Sequence, residues 1–378
     1  MGIDLQLSEE QELIGTTANE FFEKHCPPKL VREYESGSPE FPEALWREMA
    51  GLGWLGMPFP ERYGGLELAM LDMVPLYVEL GRHLVPCPVL DTVALAGSLV
   101  CALGSEEQKK ALLPGIARGD STIASAIMEP DGGYGPEAIQ LKATRNGSGF
   151  LLNGTKVLVA CAHSAGKLLC AARTATGVNE HGISLFLVDP GAPGATIEPT
   201  PNIAGYPLYA IAFGNVSVAE ESVVGEVDAA WPALYGTSMK AAVLQSAMVV
   251  GAGERLLAMT TDYAREREQF GKPIGKYQAV QYLCTDIAIH CHQTRLLTLQ
   301  AAWRIDSGRP FLREAALAKA SASRAAGAMT FAAHEVHAGI AFVTDYDLQL
   351  YTRRAKHWEY NLGDLRYHLD RACAESGL

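Results

Sequence analysis

The chain has 378 residues, with 31 Lys+Arg against 43 Asp+Glu, a formal net charge of −12, and 48% hydrophobic residues. That composition builds packed cores and excludes intrinsic disorder, and the length suggests about two or three domains. The acidic balance excludes nucleic acid as a partner held by bulk charge.

The opening residues lack the basic flank and apolar run of a signal peptide. The apolar runs are shorter than the roughly 18 residues a membrane helix needs, so no membrane partner is expected. Eight scattered cysteines without C-x-x-C spacing read as free thiols of a reducing cytoplasm.

Ser8 and Gln11 fit a capping box, followed by Leu13, Thr17 and Phe21 at helical spacing. Helices are predicted over 42–52 and 68–84, the second stopped by Pro86 and Pro88, and another from Ser105 to near Gly115. The pattern changes near Asp120. Strand-like runs follow at 122–128, 149–152, 156–160, 168–172, 183–188 and 210–218, punctuated by Gly, Asn-Gly and Pro-Gly turns. Their spacing predicts an antiparallel barrel or sandwich. From Asp228 the pattern turns helical again, with long helices predicted over 235–265, 276–307, 310–337 and 348–371. The expected class is α+β: an N-terminal helical domain over 1–119, a middle antiparallel β-barrel over 120–227, and a C-terminal four-helix bundle over 228–378.

Several motifs carry little. Gly251 and Gly253 form a lone Gly-x-Gly inside a helix without a preceding strand, which is not a dinucleotide loop. His290 and His292 point to different helix faces, and His334 and His337 lack a third ligand, so no metal site is expected. The stretch 265–278 is different. Arg267 closes a long helix, Phe270-Gly271 makes a turn, and Pro273 and Gly275 fix the loop beyond. A guanidinium can grip a pyrophosphate with two parallel hydrogen bonds, and a phenyl ring can cover a flat heterocycle. The same residues could also be a helix-capping Arg over a packed Phe.

The Arg-x-x-Phe-Gly-x-Pro-Ile-Gly-x-x-Gln string at 267–278 resembles the hallmark of acyl-CoA dehydrogenases. Segments 53–71, 104–119, Glu129-Pro130, 152–156, 337–342 and 354–356 resemble other family motifs, in order along nearly the whole chain. The resemblance implies an oxidoreductase that desaturates an acyl-CoA thioester, in lipid degradation. It implies FAD bound at a subunit interface, a glutamate base, and electron-transfer flavoprotein or a similar acceptor.

Residue by residue, the resemblance divides the site. Arg267, Phe270, Gln278 and Gly339 match the segments that reach into the neighbouring subunit's cofactor, although Glu335 and Ala338 stand where Gln and Gly are usual. On the flavin-cradling side, Met128 stands for a threonine, 131–135 for a Gly-x-Gly-Ser loop, and Leu158-Val159-Ala160 for Trp-x-Thr. The two family positions for the base hold Leu362 and Ala241. Neither can take a proton, and Asp364 and Glu359 are the nearby substitutes. The expectation is a non-catalytic subunit of a heteromeric enzyme, an α2β2 heterotetramer of bacterial steroid side-chain type. It shares FAD with a homologous catalytic subunit. The alternatives are a self-sufficient homo-oligomer using Asp364 or Glu359, and a flavin-free scaffold.

Overall fold

The structure is a computed structural model and describes residues 5–35, 40–177 and 179–377. The Ser8 capping box forms as expected and opens α1 (Glu9–His25). α2 (Pro28–Glu35) and α3 (Glu43–Gly51) follow, then α4 (Met70–Arg82) and α6 (Glu106–Ala117), which has its own box at Ser105 and Gln108. α4 ends at Arg82, ahead of Pro86 and Pro88 as expected, but the chain turns helical again just beyond them. A π-helical turn, Leu90–Gly97, and α5 (Ser98–Leu103) come directly after them. The π turn is held from outside its own ladder: Thr92 Oγ1 donates to the Ile123 carbonyl at 3.1 Å and accepts from Ile123 N at 3.3 Å.

The middle segment folds into one mixed sheet. Its strands are β1 (Ile123–Ala126), β2 (Lys142–Asn146), β3 (Gly149–Ala160), β4 (Lys167–Arg173), β5 (Ile183–Val188), β6 (Ala195–Pro199), β7 (Leu208–Ala219) and β8 (Val223–Val224). The order is β6-β7-β3-β2-β4-β5-β8, with β1 beside β4. Most neighbours are antiparallel, but β1 and β2 run parallel to β4. The Asn153-Gly154 signal marks no chain reversal. The two strands expected at 149–152 and 156–160 are one strand, whose register against β7 shifts around Asn153 and again between Lys156 and Val159.

The C-terminal helices are α7 (Trp231–Glu266), α8 (Gln278–Asp306), α9 (Leu312–His337), α10 (Leu348–Tyr360) and α11 (Leu365–Glu375). The single helix expected over 348–371 is broken at Asn361, Leu362 and Gly363, where Leu362 and Gly363 adopt φ of 60° and 107°. α7 also corrects the reading of apolar runs. By length and composition it could cross a membrane, yet 72% of its apolar window is buried in the protein core. Its Gly251 packs on the Val78 carbonyl, and Gly81 of α4 packs on that of Met248. A methyl group at either would strike backbone. Gly251 and Gly81 are therefore a pair that lets α7 and α4 cross closely.

Candidate functional site

Two regions carry the residues singled out above. The first is an arm at the C-terminal end of α7. Arg267 is the extended C-cap residue of that helix, and a two-strand hairpin follows, β9 (Glu268–Gln269) against β10 (Lys272–Pro273). Its two turn residues, Phe270 and Gly271, have φ of 54° and 78°. That is the geometry of a tight hairpin turn with both central residues left-handed. A phenylalanine is costly there, and this one is 91% exposed. The cost is not recovered by burial within the chain. The hairpin is braced by Ile274 N donating to the Arg267 carbonyl at 2.8 Å and by Tyr277 OH donating to the Gln269 carbonyl at 3.2 Å.

The Arg267 side chain is exposed and has no ion-pair or hydrogen-bond partner among the described residues. Arg265, by contrast, is ion-paired to Asp262 at 3.1 Å. Gln278 donates to Tyr282 OH at 2.7 Å, and Gly339 is exposed with open space where a Cβ would lie. The turn carrying Gly339 lies beside the end of α7, through the His337 ring stacked on Tyr263 at 4.5 Å. Ala338 holds φ of 54°, a conformation that favours glycine.

The second region is a cleft of about 840 Å³, counted to its open mouth, where the middle sheet meets the bundle. None of Arg267, Phe270, Gln278 and Gly339 lines it; Met128, Leu158, Trp231, Met239 and Leu362 do. Leu158 sits at the second register shift of β3 with φ of 55° and is 46% exposed. Ala160 is buried against Ala204, Tyr206 and Leu208. The loop past Glu129 is closed by Tyr134, whose ring packs against Tyr367 at 5.2 Å.

The loop's root is a buried pair that sequence reading noted only as motif letters. Glu129 Oε1 accepts from Lys156 Nζ at 2.6 Å, Gln140 N at 2.9 Å and Leu141 N at 3.0 Å. Lys156 also donates to the Ile127 carbonyl at 2.9 Å.

The positions expected for a base are now placed. Leu362 lines the cleft from the turn between α10 and α11. Ala241 is fully buried inside α7, three residues past the cleft-lining Ser238. Asp364 does not line the cleft. It is the N-cap of α11 and accepts from Tyr367 N at 2.8 Å. The Asp-Leu sequence ahead of a helical run was a readable capping signal. Glu359 is ion-paired to Lys356 at 2.9 Å.

Missed altogether was Lys319. Fully buried on α9, it donates to Ser323 Oγ at 2.6 Å, the Gly363 carbonyl at 2.7 Å and the Trp358 carbonyl at 3.0 Å. It thereby pins the turn that bears Leu362. Burial lowers its pKa to about 7, while Asp364 and Glu359 pull it back up.

A flavin dinucleotide needs a cation for its pyrophosphate and polar or aromatic groups around its ring. The arm fits the first need, with a free guanidinium beside an exposed phenyl ring. For the second, the cleft offers Trp231, Tyr134 and Tyr235, but the three positions matched to the flavin-cradling motifs, Met128, Leu158 and Ala160, offer no side-chain donor and no aromatic ring.

Family models of the acyl-CoA dehydrogenase N-terminal, middle and C-terminal domains match residues 8–120, 124–216 and 231–371. The probable acyl-CoA dehydrogenase YngJ of Bacillus subtilis is 30% identical, with 96% of each chain covered. Among solved structures, the ChsE4–ChsE5 complex from Mycobacterium tuberculosis is 29% identical with a TM-score of 0.89 and 99% of each chain covered. The Tcur3481–Tcur3483 steroid ACAD is 30% identical with a TM-score of 0.87, covering 98% of this chain and 99% of that one. Solved neighbours of this fold carry FAD. Matched along its length by models and relatives alike, the chain belongs to the acyl-CoA dehydrogenase family, oxidoreductases acting on CH–CH bonds.

Proposed function

We propose that this chain is the non-catalytic subunit of a heteromeric acyl-CoA dehydrogenase and completes the FAD site of a homologous catalytic subunit. The observation that carries the reading is the contrast between an outward arm with an unpaired Arg267 and a cleft with Leu362 at its base position. In the assembly, Arg267 holds the pyrophosphate of a cofactor cradled by the sister chain, and Phe270 covers its ring system. FAD, when bound, supplies the hydride acceptor. The sister chain supplies the carboxylate that takes the α-proton, because Leu362 and Ala241 have no basic atom.

The bundle offers a face for such a partner. Tyr282, Ile289 and Leu296 repeat every seven residues along α8 and are 60%, 55% and 41% exposed, a stripe that association would cover. An α2β2 arrangement with a steroid side-chain CoA thioester as substrate is the finer reading. It is supported by the likeness to the ChsE4–ChsE5 complex and to a protein titled a steroid ACAD.

The test is Arg267→Ala in the heteromer co-expressed with its sister chain. A charge-assisted pair is worth about 1.5–3 kcal/mol, so flavin affinity should fall roughly 10–100-fold. Arg265→Ala, whose partner is Asp262, should keep its flavin. Equal retention in both variants would make Arg267 a structural cap and remove the proposal's main support.

A further inference from the structure

The cleft retains one feature that neither its packing nor a shared cofactor explains. The π-helical turn Leu90–Gly97 contributes Asp91 and Leu95 to its lining, and Asp91 also borders a smaller inner cavity with Tyr206 and Arg354. The turn is locked in place. Thr92 bonds both polar backbone atoms of Ile123, and Ser125 Oγ donates to the Asp91 carbonyl at 3.4 Å. The Asp91 carboxylate itself is held only by its own backbone N–H, and no charged group pairs with it among the described residues. The other carboxylate in the wall, Glu129, is fully engaged by Lys156 and two backbone N–H groups. Among the described residues the rest of the wall holds no cation: Leu95, Ile127, Met128, Leu234 and Met239 are apolar, and Ser125, Ser238, Tyr235 and Asn361 are neutral. Burial pushes the Asp91 pKa up to about 6, so the group is mostly an anion at neutral pH.

An anion in a wall without a cation keeps whatever water the cleft admits. A plain hydrocarbon filling the cleft would strip that water and return nothing, which disfavours such a ligand. A ligand with a hydroxyl opposite Asp91 replaces the water with a charge-assisted hydrogen bond.

We propose that the cleft is a binding site for a hydroxylated acyl group and that Asp91 accepts the hydrogen bond from its hydroxyl. The acyl group is bound and not oxidised, and this last clause alone rests on the non-catalytic reading above. Asp91 is thus a specificity residue that discriminates hydroxylated from plain chains.

The experiment is calorimetric titration of the purified heteromer with dodecanoyl-CoA and with dodecanoyl-CoA hydroxylated at C6, C9 or C12. The free hydroxydodecanoic acids form a second arm. Wild-type and Asp91→Leu forms of this chain are compared with the sister chain unchanged, so the sister's own site cancels. At least one hydroxylated thioester should bind the wild-type cleft about 10-fold or more tightly than the plain chain, the value of a hydrogen bond to a charged acceptor. In Asp91→Leu that preference should vanish or reverse. Stronger binding of the free acids than of the thioesters would overturn the acyl-thioester assignment. Equal binding of plain and hydroxylated chains to the wild type would overturn the proposal outright, without need of a variant. A hydroxyl preference accompanied by turnover at this cleft would support Asp91's role and sink the non-catalytic reading instead.

Discussion

The arm and the cleft differ in what they keep. In the arm, the groups able to touch a cofactor are intact and outward: Arg267 unpaired, Phe270 91% exposed on a strained turn, and Gly339 open. In the cleft, the positions that the family resemblance assigns to ring contacts and to the base are apolar: Met128, Leu158 and Leu362. The framework behind those positions is nonetheless complete. Glu129 and Lys156 still root the loop, and Lys319 still pins the turn. The difference teaches where chemistry can be lost without losing the fold. A polar group facing a cleft can become apolar at little cost, because water or nothing takes its place. Removing one partner of a buried, hydrogen-bonded pair strands the other and costs several kcal/mol.

The largest expected effect tests that framework. Glu129→Gln leaves the Lys156 ammonium, fully buried, without its counter-charge. Unfolding free energy should fall by about 3–5 kcal/mol, read from the urea midpoint. A loss well under 1 kcal/mol would mean that the pair is not what holds the loop. The Arg267→Ala flavin loss, roughly 10–100-fold, comes next, and it should leave the urea midpoint near wild type because the side chain is exposed and makes no hydrogen bond or ion pair among the described residues.

Lys319 gives a pH signature of intermediate size. Its pKa is lowered by burial to about 7 from the ordinary 10.5. Below about 7 the lysine is protonated in both states, and the folded state bears the full penalty. Between 7 and 10.5 the unfolded chain binds a proton that the folded chain does not, so this contribution to stability rises with pH. Relative to Lys319→Met, the wild type should therefore gain up to about 1.4 kcal/mol per pH unit across that window. Cysteine and tyrosine titrations are common to both proteins and cancel in the difference. Parallel pH profiles would show that Lys319 stays protonated in the fold.

The smallest expected effects are at Asp364 and Glu359. One caps α11 and the other pairs with Lys356, so Asp364→Asn and Glu359→Gln should leave heteromer turnover within a few-fold of wild type. Loss of a general base costs on the order of 10²–10⁴ in rate. A collapse of that size in Asp364→Asn with FAD still bound would give this chain a base of its own.

The arm was legible in the sequence because its determinants are contiguous: a helix end, a Phe-Gly turn and a Pro-fixed loop within 267–278. The capping boxes at Ser8 and Ser105 were legible for the same reason. The cleft was not, since its parts come from five distant segments. Pro86 and Pro88 read locally as a stop, while the helical turn beyond them is fixed by Thr92 bonding to β1. That hid Asp91. The Asn153-Gly154 pair read as a hairpin, but β7 alongside absorbs it as a shift in register. The break at Asn361 to Gly363 was masked by helical periodicity on both sides, and its left-handed Leu362 is held by Lys319 from α9, a contact no local pattern encodes.

If the cofactor belongs to a site this chain completes but does not cradle, flavin stoichiometry will depend on the sister chain. The chain is purified alone and with its sister, and FAD is counted per chain by absorbance after denaturation. The chain alone should give a colourless or poorly soluble preparation, and the heteromer one FAD per pair of unlike chains. A yellow homo-oligomer holding one FAD per copy of this chain would contradict that dependence.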